Sequence, residues 1–565
     1  MSSLDEDERF YRDTESIAFP NLTDSQLAQL EQLGERRSVR GGEVIFHPAS
    51  RDFPLVLVVS GELEVYDPRD GNELILANPG PRSFVGEVSM LNGTSSLGGV
   101  RGKADESVVV VIPAREFRQA LSALPGVGER VVQAFIMRRK RLLRDPDFLG
   151  LRIVAHEKCS IGHRIDDFLD KNHIPHHLFG ICSEEGRALC ERLGVAEADL
   201  PVLISSDGTV HRNPGISEVA QVAGLLRPLT EEGQSEICCD LAIVGAGPAG
   251  LAAAVNAASE GLRTVVLESF APGGQAKSSS LIENFFGFPT GISGGDLTNR
   301  AQLQAHRFGA KFSTPSQALT LIPCDGEHAA EIHIEGCGAL LRARTVILST
   351  GAEYNRIDAE GRARFEGLGV YYAATAMESQ FCHGCTVIVA GAGNSAGQAA
   401  MFLSEHASRV ILAVRGGDLT KSMSSYLSNR VEATANIEIR YHTEIRSMSG
   451  GYRLESVELE NTRTSQKETV KVSAVFSMIG ARPCTSWLPQ EILLDERGFI
   501  KTGGAVAGAP AWKDSGKSPL PFETSVPGIF AAGDVRAGSV KRCSAAVGEG
   551  SMAIENVHQM LGTYV

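Results

Sequence analysis

Short apolar runs separated by turn residues characterise the first part of the chain. The runs lie at residues 43–46, 55–59, 63–66, 73–76 and 108–112. Apolar runs of this length are typical of strands, so this region is predicted to form a small β-barrel. A helical pattern follows from residue 114 to about 143 and contains the basic run 137–141, which we interpret as a solvent-exposed helix end.

A different order of elements occupies residues 148–229. The pattern predicts strand, helix, strand, helix, strand, hairpin and helix at residues 151–155, 162–171, 177–181, 184–193, 202–204, 207–208 and 216–225. This order indicates a small α/β unit. The polar segment 230–236 is predicted to be a linker. Beyond it, buried strands alternate with helices, which is typical of doubly wound parallel sheets.

Composition and charge exclude several classes of protein. A chain of 565 residues is too long for one domain. The net charge is −14, and no long basic run is interleaved with aromatic residues, so nucleic acid is not an expected partner. The acidic start of the chain does not resemble a secretory signal, and no apolar run reaches the roughly 20 residues of a membrane span. We therefore expect a cytoplasmic protein without membrane contact. Its eleven cysteines are too sparse for a disulfide framework, and no metal site is predicted.

A glycine-rich turn between a strand and a helix predicts a dinucleotide site. The strand 240–244 leads into Gly245, Gly247, Pro248, Ala249 and Gly250, and a second strand ends at Glu268. The first glycine permits a tight turn, the second lets the backbone approach a pyrophosphate, and the third lets the helix pack on the strand. Glu268 is in position to accept hydrogen bonds from the ribose hydroxyls.

A second copy of this pattern follows the strand 386–390. It contains Gly391, Gly393, Asn394, Ser395 and Ala396, and its next strand ends at Arg415 rather than at an acid. A guanidinium suits a ribose 2′-phosphate, so NADP(H) is favoured over NAD(H). Lys421 has two interpretations, a second contact to that phosphate or a solvated lysine. Two dinucleotide folds in one chain suggest hydride exchange between a nicotinamide and a flavin.

From about residue 237 to its end, the sequence resembles the low-molecular-weight thioredoxin reductase family. Six motifs carry the resemblance, at residues 273–275, 282–289, 349–352, 479–483, 530–534 and 546–550. The resemblance implies an FAD-binding domain at 237–357 and 485–565 and an NADPH-binding domain at 358–484, both Rossmann-like, in a homodimer. It adds flavin contacts at Gly274, Gln275, Asn284, Thr350, Gly351, Gly533, Asp534, Ser544 and Ala545, and a nicotinamide-nucleotide contact at Gly480.

The redox dithiol of that family is missing from its usual place. Alanines, Ala373 and Ala376, stand in the two cysteine positions. Cys382 and Cys385 form a Cys-x-x-Cys six residues downstream of the second of these positions, just before the next strand. They are either a relocated redox pair or structural cysteines.

The unit at 148–229 resembles a thioredoxin or glutaredoxin fold. The segment around Pro201 resembles its cis-proline loop, and Cys159 occupies the first cysteine position at the start of the first helix. The second cysteine position is Gly162. Cys159 is therefore either a working monothiol or a relic of a lost pair.

Residues 1–147 resemble a cyclic-nucleotide-binding barrel. In that family a Gly-Glu pair opens the phosphate segment, and Glu87 matches its glutamate, which meets the ribose 2′-hydroxyl. The arginine that neutralises the cyclic phosphate is replaced by Ser96, and Arg101 falls on the next strand. The prediction is a regulatory or dimer-forming barrel that no longer binds cyclic nucleotide.

These inferences predict a multidomain protein with a barrel, a thioredoxin-like α/β domain and two Rossmann-like domains. The expected function is an NADPH-dependent FAD oxidoreductase that passes hydride from NADPH to FAD. The acceptor is a disulfide, as on a thioredoxin-like protein, or a quinone, oxygen or a small electron carrier. The alternative is a nucleotide or redox sensor with little turnover.

Overall fold

The structure is a computed structural model. It describes residues 3–69, 72–121, 124–145, 150–157, 159–205, 208–226, 229, 236–279, 282, 284–324, 326, 328–335, 340–365, 368–372, 374, 382, 384–451 and 453–562.

Two four-stranded antiparallel sheets form the N-terminal barrel. Its elements are α1 (Ser3–Ala18), α2 (Asp24–Glu31), β1 (Glu35–Arg40), β2 (Val44–Phe46), β3 (Leu55–Ser60), β4 (Leu63–Arg69), β5 (Asn72–Ala77), β6 (Phe84–Val85), α3 (Ser89–Asn92), β7 (Gly99–Gly102), β8 (Glu106–Ile112), α4 (Ala114–Ala120) and α5 (Pro125–Arg144). The sheet orders are β1-β8-β3-β6 and β2-β7-β4-β5. The predicted helix 114–143 is two helices, because Pro125 starts a new one at a position where its missing N–H costs nothing.

The basic run in α5 is not solvent-exposed, so our interpretation of it was wrong. Arg138 donates to three backbone carbonyl oxygens of the barrel region, and burial lowers its pKa to about 9. Arg139 is only 6% exposed and pairs with Glu87. Lys140 pairs with Asp296 at 2.6 Å. The run joins the barrel to its neighbours.

The next unit has the β-α-β-α-β-β-α order expected from the sequence. Its elements are β9 (Leu151–Ala155), α6 (Ser160–Lys171), β10 (His176–Gly180), α7 (Glu184–Leu193), β11 (Val202–Ile204), β12 (Val210–Arg212) and α8 (Ile216–Val222). The sheet order is β10-β9-β11-β12, with β10 parallel to β9 and the other neighbours antiparallel. The Leu200–Pro201 peptide is cis, as predicted. Of the predicted hairpin 207–208, Asp207 lies outside the described residues.

A large mixed sheet forms the first dinucleotide-type domain. Its elements are β13 (Glu236–Val244), α9 (Pro248–Ser259), β14 (Thr264–Leu267), α10 (Gly294–Arg307), β15 (Lys311–Ser313), β16 (Ala318–Pro323), β17 (Ala330–Ile334), β18 (Leu340–Leu348) and β19 (Ala352–Tyr354). The order is β15-β14-β13-β18-β17-β16, and strand β29 (Ile529–Ala531), from the end of the chain, pairs with β18. Strand β13 starts at Glu236, which had been assigned to the linker; residues 230–235 lie outside the described part.

A five-stranded parallel sheet forms the second dinucleotide-type domain. The remaining elements are β20 (Val370–Tyr371), β21 (Thr386–Ala390), α11 (Asn394–Ser404), β22 (Arg409–Val414), α12 (Ser425–Ala433), β23 (Ile437–Tyr441), β24 (Thr443–Ser449), β25 (Ser456–Asn461), β26 (Lys467–Lys471), β27 (Ala474–Ser477), β28 (Ala481–Pro483), α13 (Pro510–Ser515), β29 (Ile529–Ala531) and α14 (Cys543–Leu561). The order is β20-β27-β21-β22-β23, with β24-β25-β26 as a separate antiparallel sheet. In both sheets the glycine-rich turn follows a central strand, β13 or β21, whose last four residues are buried.

None of the described helices combines the length and the apolar character that crossing a membrane requires.

Candidate functional site

The first glycine fingerprint is built as its sequence predicts. Gly245 has a φ of +101°, and a Cβ on Gly250 would overlap the Gly245 carbonyl oxygen, so neither position accepts a side chain. Gly247 caps the N-terminus of α9, and Pro248 and Ala249 open the helix. A Cβ on Gly247 would meet nothing within 4 Å. Open space therefore lies beside the N–H groups of a helix N-terminus, which is the arrangement that binds a pyrophosphate.

Glu268 follows β14 and lies next to this turn. Its carboxylate accepts hydrogen bonds from the N–H groups of Ala246, at 2.8 Å, and Phe270, at 3.0 Å. Burial raises the pKa of Glu268, and the two N–H donors oppose that shift. Oε1 also accepts from the Ser269 hydroxyl, whereas Oε2 accepts from Ala246 and keeps a lone pair for a ribose hydroxyl.

The C-terminal helix and the turn before it close the other side of this site. A Cβ on Gly533 would lie 2.8 Å from the Cβ of Ala249, and a Cβ on Gly550 would overlap the Ala249 carbonyl oxygen, so the two glycines let α14 and α9 approach. Glu549 accepts from the Gly533 N–H at 2.8 Å and forms two hydrogen bonds with Arg536, of 3.0 and 2.6 Å. Sequence reasoning did not assign a role to this pair.

Asp534 lacks a hydrogen-bond donor. Within the described residues nothing donates to its carboxylate, and burial raises its pKa. A half-buried carboxylate in this state fits a ligand hydroxyl, which is the contact that the resemblance assigns to the flavin.

The other predicted flavin residues are arranged around the same turn, with one exception. A Cβ on Gly274 would lie 3.0 Å from the Gly247 Cα, and Gln275 donates to the Ala352 carbonyl oxygen. The Thr350 hydroxyl donates to the Cys484 carbonyl oxygen at 2.9 Å. Gly351 has a φ of +69°, and Ser544 and Ala545 lie in the first turn of α14. The exception is Asn284, which is exposed on a loop.

The second fingerprint has the same construction. Gly391 has a φ of +146°, and a Cβ there would overlap the Met478 carbonyl oxygen. The Asn394 side chain accepts from the Ser424 N–H at 2.8 Å and ties the start of α11 to α12. The other predicted members are Gly393, which caps α11, Ser395 and buried Ala396 in its first turn, and Gly480, with a φ of +92°.

Arg415 directly follows β22 and is exposed, and within the described residues no carboxylate lies within ion-pair distance of it. Lys421 is also exposed but does not line the cleft described next. The solvated interpretation of Lys421 therefore fits this structure.

One cleft of about 1410 Å³ lies between the second fingerprint and residues of the first domain that include the predicted flavin contacts Gln275 and Asp534. Gln275 and Asp534 line it from the first domain, and Gly391, Arg415 and Gly480 line it from the second. Its lining contains seven basic and three acidic residues. The basic residues are Arg356, Arg415, Arg446, Arg482, Arg497, Lys541 and Arg542. A basic cleft suits ligands with several phosphates. Apart from Arg415 and from Arg482, which belongs to the motif at 479–483, these cations carried no signal in the sequence, because the fold brings them together from separate segments.

The candidate redox cysteines are not equivalent. Cys382 is fully buried in the apolar core of the second domain. Cys385 is partly buried, and its N–H donates to the Cys382 carbonyl oxygen at 3.1 Å. Cys159 caps α6, and its Sγ accepts from the Gly162 N–H at 3.4 Å. Ala373 and Ala376 lie outside the described residues. The described residues contain no cluster of side chains that would hold a metal ion.

The barrel residues that would meet a cyclic nucleotide have other partners. Glu87 pairs with Arg139. The buried Ser96 hydroxyl donates to the His47 carbonyl oxygen at 3.1 Å. Arg101 pairs with Glu64 and Glu73 at 2.8 and 2.7 Å, so it does not replace the missing arginine.

Two dinucleotide-type domains that face one basic cleft define a class of oxidoreductase that uses two nucleotides. The chain belongs to the pyridine nucleotide-disulphide oxidoreductase family, whose sequence profile matches residues 239–550. A cyclic nucleotide-binding domain profile matches residues 36–123. Both matches agree with the resemblances drawn from the sequence.

Individual proteins resemble the C-terminal part of the chain. A thioredoxin reductase of Treponema pallidum is 34% identical over 314 residues, which are 56% of this chain and 94% of that protein. The 34.2 kDa protein in the rubredoxin operon of Clostridium pasteurianum is 31% identical over 323 residues, 57% of this chain and 97% of that protein. The crystal structure of the thioredoxin reductase of T. acidophilum superimposes with a TM-score of 0.51 at 26% identity and covers 58% of this chain and 99% of that one. This chain is thus a thioredoxin reductase-like oxidoreductase with additional N-terminal domains.

Proposed function

We propose that FAD binds against the first fingerprint and reaches the cleft at Asp534, that NADPH binds in the cleft against the second fingerprint, and that the protein is an NADPH-dependent flavin oxidoreductase. The observation that carries this proposal is the shared cleft, which Asp534 lines from one domain and Arg415 from the other. When bound, FAD would accept a hydride from NADPH and release two electrons to an acceptor. Gly247 and the start of α9 would hold the pyrophosphate, and Asp534 would accept a hydroxyl of the flavin side chain.

The electron acceptor is proposed to be one that needs no dithiol beside the flavin. Ala373 and Ala376 provide no sulfur at the usual positions. Cys382 is buried in a core, so exchange with a partner disulfide would require local opening. A quinone or oxygen takes up electrons without any of these sulfurs. We therefore propose a quinone or oxygen as the acceptor, with NADPH oxidised to NADP⁺ and the quinone reduced to quinol or the oxygen to hydrogen peroxide.

Turnover with several acceptors tests the proposal. FAD-loaded protein is mixed with NADPH, and the bleaching of the flavin absorbance is followed by stopped flow; menadione, oxygen and thioredoxin disulfide are then compared in steady state. We expect rapid bleaching, measurable turnover with menadione or oxygen, and near-background disulfide reduction. Absence of flavin bleaching would contradict the oxidoreductase and favour the sensor alternative. Strong thioredoxin reduction would contradict the acceptor assignment alone.

The domain boundaries 1–147, 148–229, 237–357 with 485–565, and 358–484, the homodimer and the cytoplasmic location stay predictions from the sequence. Analytical ultracentrifugation of the FAD-loaded chain tests the dimer directly, since one or two chains per particle differ twofold in mass.

A further inference from the structure

A second, smaller cavity lies where the barrel, the thioredoxin-like unit and the first dinucleotide-type domain meet. Its volume is about 80 Å³. Arg139 lines it from α5, His173 from the end of α6, and Lys277 and Thr314 from the dinucleotide-type domain. One water needs roughly 10–15 Å³ of such space, so the cavity has room for several waters or for one small polyatomic ion.

Polar atoms around this cavity lack hydrogen-bond partners. The Arg139 Nε–H, the His173 Nε2 and the Thr314 hydroxyl are all buried and have no partner within the described residues. Arg139 is 6% exposed and Thr314 8% exposed. A buried polar group without a partner costs about 1–3 kcal/mol, so three such atoms at one cavity indicate that a polar ligand belongs there.

The charges around the cavity favour an anion. The guanidinium of Arg139 is balanced by Glu87, and the ammonium of Lys140 by Asp296, a carboxylate that also lines the cavity. Lys277 donates only to carbonyl oxygens, those of Lys171 and Pro272, and no carboxylate of the described residues pairs with it. Burial lowers its pKa to about 8, so most of the molecules carry this charge at pH 7. Among Arg139, Lys140 and Lys277 with their partners Glu87 and Asp296, one net positive charge remains, and the donors around it belong to two domains.

We propose that this junction cavity binds a small inorganic oxyanion of the phosphate or sulfate class. Its oxygens would accept from the Arg139 Nε–H, the Lys277 ammonium and the Thr314 hydroxyl, which approach from two different domains. Several oxygens match several donors, whereas a single acceptor atom would leave most of them unpaired. The bound anion would hold the barrel against the dinucleotide-type domain. This proposal does not depend on the redox function.

Thermal unfolding and calorimetry of the FAD-loaded full chain test the proposal. Phosphate or sulfate replaces chloride at constant ionic strength. We expect a saturable rise in Tm and one binding event per chain. Lys277→Met should weaken that binding about tenfold or more, because a charged donor is lost. Lys311→Met removes an exposed charge from the neighbouring strand β15 and should leave the binding unchanged.

Two further variants keep the result interpretable. Arg415→Ala removes a phosphate contact in the main cleft, and it should retain the effect if the anion binds at the junction. Thr314→Val deletes one donor without a charge and should weaken the binding several-fold, which covers the case that Lys277→Met does not fold. A rise in Tm that does not saturate, an effect lost in Arg415→Ala, or full binding by Thr314→Val would overturn the proposal and leave a water-filled cavity.

Discussion

Arg139 and Glu87 form an ion pair in which the arginine side chain is 7% exposed and the glutamate side chain 15%. Arg139 also donates to the Ser89 hydroxyl at 3.0 Å and to the His173 carbonyl oxygen at 2.9 Å. Glu87, the residue that the family resemblance assigns to a ribose hydroxyl, is therefore already engaged by Arg139. Through its bond to His173, Arg139 also links the barrel to the thioredoxin-like unit. The barrel segment that contains Glu87 is therefore held against another domain.

Cyclic nucleotides should therefore not bind tightly. A cyclic phosphate would not find its usual arginine, because Ser96 stands at that position, and Arg101 is already paired with Glu64 and Glu73. Isothermal calorimetry with cAMP and cGMP should give no saturable heat. Tight binding of either nucleotide would restore the sensor interpretation of the barrel.

Breaking the Arg139–Glu87 pair should destabilise the fold. Glu87→Gln leaves a buried guanidinium without its counter-charge, which typically costs about 3–5 kcal/mol. Glu62→Gln is the matched control, because Glu62 pairs with Lys103 at 3.1 Å where both side chains are about 40% exposed, and exposed pairs contribute about 1 kcal/mol or less. Urea unfolding measures both changes. An equal decrease in the free energy of unfolding for Glu87→Gln and Glu62→Gln would mean that burial of the Arg139–Glu87 pair does not increase its contribution to stability.

Features that depend on local sequence were predictable, and features that depend on distant partners were not. Both glycine fingerprints follow from backbone requirements inside short segments, and the cis peptide at Pro201 was expected from the resemblance to the thioredoxin fold. The basic run 137–141 was misinterpreted because the partners of Arg138, Arg139 and Lys140 are remote in sequence; Asp296, for example, belongs to another domain. A charge run has the same local appearance whether it faces water or another domain.

Gly247→Asp should abolish FAD binding. The side chain would enter open space, so the fold should persist, but its carboxylate would face the pyrophosphate at the start of α9. Purified variant should be colourless with unchanged circular dichroism. Gly504→Asp also enters open space and is the control. A yellow Gly247→Asp protein would show that the pyrophosphate lies elsewhere.

Arg415→Ala should weaken the binding of NADPH and leave the binding of NADH little changed. Loss of a charged hydrogen bond to the 2′-phosphate costs about 1.5–3 kcal/mol and should raise the NADPH KM roughly 10- to 150-fold, with the NADH KM little changed. Lys421→Ala removes a nearby exposed charge that does not line the cleft and should have a small effect. Equal losses for both nucleotides would mean that Arg415 has a structural role.

Any disulfide reduction should depend on Cys159 or on the Cys382/Cys385 pair. Cys543, at the start of α14, is a poor substitute, because burial and the nearby Asp534 raise its pKa to about 11 and few thiolates form at neutral pH. The triple serine variant should lose disulfide turnover and keep quinone turnover. Disulfide turnover that survives in it would point to Cys543, which Cys543→Ser then tests.

Cys159 is expected to have no part in flavin reduction. The far end of α6 contacts the first dinucleotide-type domain, where Phe168 packs on Phe270 with ring centroids 5.2 Å apart. Phe168 comes nine residues after Cys159, which is roughly 13 Å along the helix axis, so Cys159 lies away from that contact. Cys159→Ser should leave the rate of NADPH-dependent flavin bleaching unchanged. A slower rate would require a rearranged thioredoxin-like unit.

Stability should fall in acid because of His173. Burial, together with the positive charges of Lys277, Arg139 and Lys140, lowers its pKa from 6.5 to about 3, and only Asp296 opposes the shift. The unfolded chain binds a proton on this residue below pH 6.5 while the folded chain does not, so the free energy of unfolding decreases as the pH falls from about 6.5 towards 3. The loss should reach about 2–3 kcal/mol by about pH 4.5.

His173→Asn removes the titration and suits the backbone, since His173 has a φ of +54° that asparagine tolerates. Urea unfolding in phosphate-free buffers should show a smaller acid loss of stability for His173→Asn than for the parent, whereas the control His163→Asn, at an exposed position of α6, should follow the parent. Parallel profiles for His173→Asn and the parent would place the acid sensitivity at other groups.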